Sequence, residues 1–161
     1  MNGLLAIILV LSAQPKISQP ISLGLELGDA SGVSAGYRWG DRHQVNALLG
    51  YSLVQQSLVV RSDYVFHFWR WAAPPQFGAQ LSAFGGAGGR IGLFEPRPRY
   101  LREADFALGM RLPLGVVATL PPLPFEVALT LAPGIDALPV LRPHFEAGIA
   151  LRLLIKTSLD R

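Results

Sequence analysis

Apolar and polar residues alternate along seven separate segments of this chain. In Gly32–Trp39 the odd positions are Val33, Ala35, Tyr37 and Trp39, and the even ones are Gly32, Ser34, Gly36 and Arg38. Phe125–Ala132 sets Phe125, Val127, Leu129 and Leu131 against Glu126, Ala128, Thr130 and Ala132. Phe145–Leu153 sets Phe145, Ala147, Ile149, Leu151 and Leu153 against Glu146, Gly148, Ala150 and Arg152. Successive side chains of an extended backbone point to opposite sides, so a period of two predicts strands with two unlike faces. Over the clear strands the apolar face holds the large residues, with Ser62 the one polar member. The opposite face mixes Gly, Ala and Ser with Glu26, Arg38, Arg61, Asp63, Arg111, Glu126, Glu146 and Arg152.

Turn residues divide the chain into eight predicted strands: Ile21–Leu27, Gly32–Trp39, His43–Tyr51, Ser57–Phe68, Gln76–Gly92, Phe106–Val117, Phe125–Ala132 and His144–Ile155. Gly28-Asp29-Ala30-Ser31 and Gly40-Asp41-Arg42 carry turn chemistry. Trp69–Pro75, Leu120–Pro124 and Pro133–Pro143 read as proline-bearing connections, and the charged stretch Phe94–Asp105 as an exposed loop. The fifth strand is rich in glycine and its faces are ambiguous. Gln80 and Ser82 share a side with Phe84, and a bulge within Gly85–Gly89 would reverse the parity beyond it.

Which face meets the surroundings decides the class. A charge turned into lipid costs ~2–4 kcal/mol at mid-depth, so in a membrane the charged face must point inward. The eight charges divide into four arginines and four carboxylates, and buried charges persist when paired. Eight strands enclose an interior just wide enough for side chains to fill. Tyr37, Trp39, Phe68, Trp69 and Trp71 gather near strand ends on one side, as an interfacial aromatic girdle would. The pattern therefore predicts an all-β protein: an eight-stranded antiparallel up-and-down transmembrane β-barrel.

Composition narrows the remaining classes. Half of the 161 residues are hydrophobic and 16% are charged, yet no apolar run approaches the ~18 residues of a spanning helix. The formal charge of +3 is scattered and makes no case for nucleic acid. With no cysteine there is neither a disulfide framework nor thiolate chemistry to consider. Gly3–Ala13 is an apolar run ending in Leu11-Ser12-Ala13, which we read as a signal peptide over residues 1–13 cleaved after Ala13. An N-terminal anchor or a buried strand is the competing reading. Residues 14–20 then form a short leading segment, 21–155 the barrel and 156–161 a C-terminal tail.

Several stretches carry a resemblance. Leu27-Gly28-Asp29-Ala30-Ser31-Gly32 followed by Ser34-Ala35-Gly36-Tyr37-Arg38-Trp39 resembles the first hairpin of a family of small bacterial outer-membrane β-barrel proteins, whose fold is similar to the OmpA/OmpX-type eight-stranded barrel. Gly50-Tyr51-Ser52, Ser62–His67, Gly85–Ile91, Gly109–Gly115, and Phe125-Glu126-Val127 through Ala132–Asp136 extend the match over Leu23–Ile155. The resemblance implies an outer-membrane location, with lipid, lipopolysaccharide and the barrel assembly machinery as partners, a monomer, and no cofactor. Eight strands and export would place the N-terminus in the periplasm, with Phe94–Asp105 and Pro133–Pro143 extracellular. One departure is the end of the chain, Lys156–Arg161, where such barrels typically finish on an aromatic residue.

Candidate chemistry is sparse. Asp63 and His67 share a strand face, and Ser34 or Ser82 across the interior could complete a hydrolytic triad. A polar barrel interior calls for the same residue types without catalysis. His43, His67 and His144 lie on separate strands without ligand spacing. The glycine run Gly85–Gly92 lacks the Lys-Ser/Thr and the helix of a phosphate loop. No catalytic, cofactor or metal residues are assigned, and the eight inward charges are read as a structural network. Four functions compete: a structural or interaction barrel, a narrow pore obstructed by Leu48, Val59, Val65 and Phe84, a lipocalin-like soluble carrier, and a lipid-modifying membrane enzyme. If the last hairpin centres near Leu138 or Pro139, Glu126 faces Arg152, Thr130 faces Gly148 and Ala132 faces Glu146.

Overall fold

The computed structural model describes residues 21–72, 79–94, 106–120 and 123–155. The expected signal peptide, the 14–20 segment, the 156–161 tail and most of the loop 94–105 lie outside them. Nine antiparallel strands are present: β1 (Ile21–Gly28), β2 (Ser31–Trp39), β3 (His43–Ser52), β4 (Ser57–Ala72), β5 (Gln80–Phe94), β6 (Phe106–Arg111), β7 (Leu114–Thr119), β8 (Phe125–Leu138) and β9 (Arg142–Ile155). Their pairings form a closed circuit. Each of β1 to β4 pairs with the next, β4 pairs with β5, β5 with both β6 and β7, both of these with β8, β8 with β9, and β9 with β1. We call the end where β1 starts and β9 stops the near end, and the opposite one the far end.

The count of nine instead of eight comes from two prolines. Arg111 faces Gly88 and Gly134, and Leu114 faces Gly85 and Leu131, so every strand advances by the same step across the break. β6 and β7 are thus two halves of the predicted sixth strand. Proline has no N–H to give a ladder. The Pro113 carbonyl accepts from Gly86 and the Pro133 carbonyl from Leu112. A residue's N–H and C=O point to the same side of its strand, so Pro113 loses a bond toward β5 and Pro133 one toward the β6–β7 junction. The ladder lapses at residues 112–113 without changing register.

Three expectations are corrected. Pro133–Pro143 is mostly strand, because the Pro133 side chain faces outward and its missing N–H falls at that junction; only residues 139–141 connect β8 to β9. The parity of β5 is unbroken from Ser82 through Phe84 to Arg90, so Gly85–Gly89 holds no bulge. The irregularity sits instead on β4, where His67 pairs with Phe84 and Trp69 with Ala83, leaving Phe68 as the extra residue. β5 also begins at Gln80 and not at Gln76, with residues 73–78 outside the described set.

The two faces are inverted relative to a water-soluble domain. Leu25 is 61% exposed and Met110 71%, whereas Glu126 and Arg90 are each 1% exposed. Glycines make room for the interior side chains. A Cβ on Gly88 would overlap the Asp63 carboxylate and the Ser62 carbonyl, and one on Gly148 would lie 2.8 Å from Glu26 Oε1. Two apolar groups sit among the interior charges: Ala30, Leu48 and Val59, and separately Val65, Phe84, Val117, Ala128 and Ala150.

Candidate functional site

All eight charges singled out by the alternation are buried. Because inward positions come from every second residue of each strand, neighbouring strands deliver their charges to one confined volume. Glu146 on β9 is the hub. Its carboxylate accepts from Arg61 Nη1 at 3.2 Å, from Arg90 Nη1 at 2.5 Å and from Arg111 Nη1. Arg61 also donates to Glu26, and its Nε lies 3.7 Å from Asp63 Oδ2. Arg111 Nε lies 3.4 Å from Asp63 Oδ1.

A second group forms closer to the near end. Arg152 Nη1 is 3.3 Å from Glu126 Oε1 and 3.1 Å from Asn46 Oδ1, and its Nε donates to Ser34 Oγ at 3.0 Å. Arg38 reaches the other Glu126 oxygen at 3.5 Å and donates twice to Gln44 Oε1. Arg152 Nη2, 3.7 Å from Glu26 Oε2, joins the two groups. Guanidinium suits this role because its planar fork can serve two or three acceptors at once.

Arg90 and Asp136, both buried, were missed in the sequence. Arg90 Nε lies 3.4 Å from Asp136 Oδ1, and Arg90 Nη2 donates to Gln55 Oε1 at 2.5 Å. Arg90 sits in the glycine-rich strand whose faces were ambiguous, and Asp136 in the stretch read as a loop. The signal was available: the even positions of β8 run from Glu126 through Thr130 to Asp136 if Pro133 is allowed in the strand. Including both, the buried charges among the described residues are five arginines and five carboxylates. His144, with Nδ1 3.5 Å from Asp136, borders the same group.

The residues considered for a hydrolytic triad are only partly brought together. His67 Nδ1 is 2.9 Å from Ser82 Oγ and Nε2 is 3.0 Å from Gln44 Oε1. Gln44 Oε1 also accepts from Arg38 and is therefore the carbonyl oxygen, so the His67 proton sits on Nε2 and Nδ1 accepts from the serine hydroxyl. Asp63 belongs to the arginines, and Ser34 is bonded to Arg152. His43 faces outward, stacked on Trp39 and 2.7 Å from the Tyr64 hydroxyl. No group of His, Cys, Asp or Glu placed to hold a metal occurs among the described residues. In the far-end turn, burial pushes the Asp29 carboxyl above the usual carboxylate range, and the charge of Glu146 adds to the rise.

Two interior cavities of about 10 Å³ each lie beside Arg152 and Phe84, each with room for about one water molecule.

The fold defines the class: an all-β, antiparallel, up-and-down barrel. Among solved structures it is similar to the N-terminal β-barrel domain of Pseudomonas aeruginosa OprF, with a TM-score of 0.58 at 13% identity, covering 88% of this chain and 100% of that one. No protein-family model and no curated protein sequence matches the chain.

Proposed function

We propose that this chain is a structural or interaction barrel of the bacterial outer membrane, monomeric, without catalytic activity, its interior closed by its own side chains. The observation that carries the reading is the inversion of its faces. Ten mutually balanced charges occupy the interior while Leu23, Leu25, Leu129, Leu131, Ile149 and Leu151 stand on the outside. Water would leave that outer belt unfavourably exposed, whereas lipid is a good solvent for it and a poor one for the charges. The exposed Tyr37, Trp39, Phe68, Trp69 and Trp71 at the near end suit a membrane–water interface. Similarity to the OprF barrel domain supports the same location. Residues 1–13 then serve as the export signal, lipid and lipopolysaccharide surround the barrel, and the assembly machinery inserts it.

A pore is disfavoured because Val65, Phe84 and Val117 form a buried apolar cluster in the interior, and the two cavities beside it and Arg152 are about the size of single waters. The test is a gel comparing boiled with unboiled protein extracted from outer membranes. A detergent-resistant barrel shifts its mobility on boiling. Identical bands, together with release from membranes by carbonate, would overturn the reading. Unit conductance in planar bilayers would replace the closed barrel by the pore.

A further inference from the structure

Arg70 stands outside the charge balance. Beyond the bulge at Phe68, β4 turns Trp69 and Trp71 outward, 66% and 56% exposed. Arg70 pairs with Ser82, whose side chain points inward, and cross-strand partners share a face. Arg70 therefore enters the near-end mouth of the barrel, half-buried along its length. Its Nε, Nη1 and Nη2 are all withdrawn from solvent, and none has a hydrogen-bond partner among the described residues. Ser82 donates its hydroxyl proton to His67, and its oxygen accepts no hydrogen bond from Arg70. The charges acting on Arg70 are Arg38, Arg42 and Asp41, and Asp41 forms no ion pair with it among the described residues. The five interior carboxylates are matched by five other arginines.

A guanidinium with all its donors unmet is costly unless an acceptor completes it. Its fork matches two oxygens of a tetrahedral oxyanion better than a single halide. We infer that Arg70 is the anchor of an oxyanion site at the near-end mouth, taking a phosphate group. The phosphate could be that of a phospholipid headgroup, reached because Trp69 and Trp71 hold this part of β4 at the interfacial level, or a free phosphate ion. The inference needs the barrel fold but not its membrane role, so detergent-solubilised protein tests it separately from the proposed function.

The experiment is urea unfolding of the refolded barrel in an uncharged, phosphate-free detergent, followed by tryptophan fluorescence. Sodium phosphate is titrated against sodium chloride at matched ionic strength, and in a second arm phosphatidylglycerol is added to the micelles. Ligand that binds the native state alone raises the midpoint with concentration. We expect the midpoint to rise with phosphate, phosphatidylglycerol or both, and not with chloride. A rise with phosphate alone identifies a free ion, and one with the lipid alone identifies a headgroup. Arg70→Gln should abolish the response, and Arg70→Lys, which keeps the charge without the fork, should retain part of it. Without added anion, Arg70→Gln should unfold at or above the parent midpoint, since it removes an unmet charge. An unchanged response in Arg70→Gln, no response to either phosphate source in the parent, or a lower midpoint of Arg70→Gln without anion would overturn the site.

Discussion

Glu126 and Arg152 sit directly opposite each other on β8 and β9, with 3.3 Å between Oε1 and Nη1. The pair is the near-end member of a hairpin register that continues through Thr130 and Gly148 to Asp136 and Arg142. A slip of β9 by one residue against β8 would turn Arg152 away from Glu126 and bring the set of Leu151 and Leu153 to the inner face. The ion pair and the hairpin register are therefore one constraint.

A double-mutant cycle with Glu126→Gln and Arg152→Gln should give a coupling of about 1 kcal/mol or more, read from urea unfolding in detergent or lipid. Arg152 keeps Ser34, Asn46 and Glu26 as partners, and Glu126 keeps Arg38, so each single loss is softened. Strictly additive losses would show that the two charges act independently.

Glu146→Gln should be more damaging than Glu126→Gln. It takes one carboxylate partner from each of three arginines, Arg61, Arg90 and Arg111, where the latter takes one from each of two. Removing one partner of a buried pair typically costs about 3–5 kcal/mol. We expect a loss in that range, or failure to fold, measured as the urea midpoint and the fraction of heat-modifiable protein. Equal effects of the two substitutions would refute the hub.

Leu129→Arg tests which face meets lipid. Leu129 is exposed on the outer side of β8, between the inward Ala128 and Thr130. A charge there should cost about 2–4 kcal/mol for folding into lipid vesicles if the site lies near the midplane, while Leu129→Ala should cost less. An arginine tolerated as well as alanine would place this face in water.

Asp29→Asn gives the pH dependence a sign. The Asp29 carboxyl is raised in the folded state, so folding favours its protonated form. Its contribution is most favourable below the ordinary carboxylate range and is lost as pH rises through the raised value. The asparagine variant should therefore have the higher urea midpoint at about pH 7 and the same midpoint as the parent at about pH 3. A lower midpoint for the variant near neutral pH would contradict the half-buried setting of Asp29 near Glu146.

The period-two pattern by itself determined the all-β class, the side of each clear strand that Glu26, Arg38, Arg61, Asp63, Arg111, Glu126, Glu146 and Arg152 occupy, and the register of the last hairpin. Those properties are local: side-chain direction alternates with every residue, so parity within a strand and turn position between two strands suffice. Three features needed the tertiary structure. Pro133 stays in its strand because its missing N–H meets a junction already interrupted by Pro113, a coincidence of two residues twenty apart in sequence. The bulge at Phe68 arises where the pairing of β4 with β5 passes from His67–Phe84 to Trp69–Ala83, which places Arg70 in the mouth when simple alternation would face it outward. The partners of each charge also lay beyond the pattern. Glu146 gathers arginines from β4, β5 and β6, and which of them reach it depends on how the tilted strands stack around a shared interior, since an ion pair is set by distance through space and not by parity along the chain.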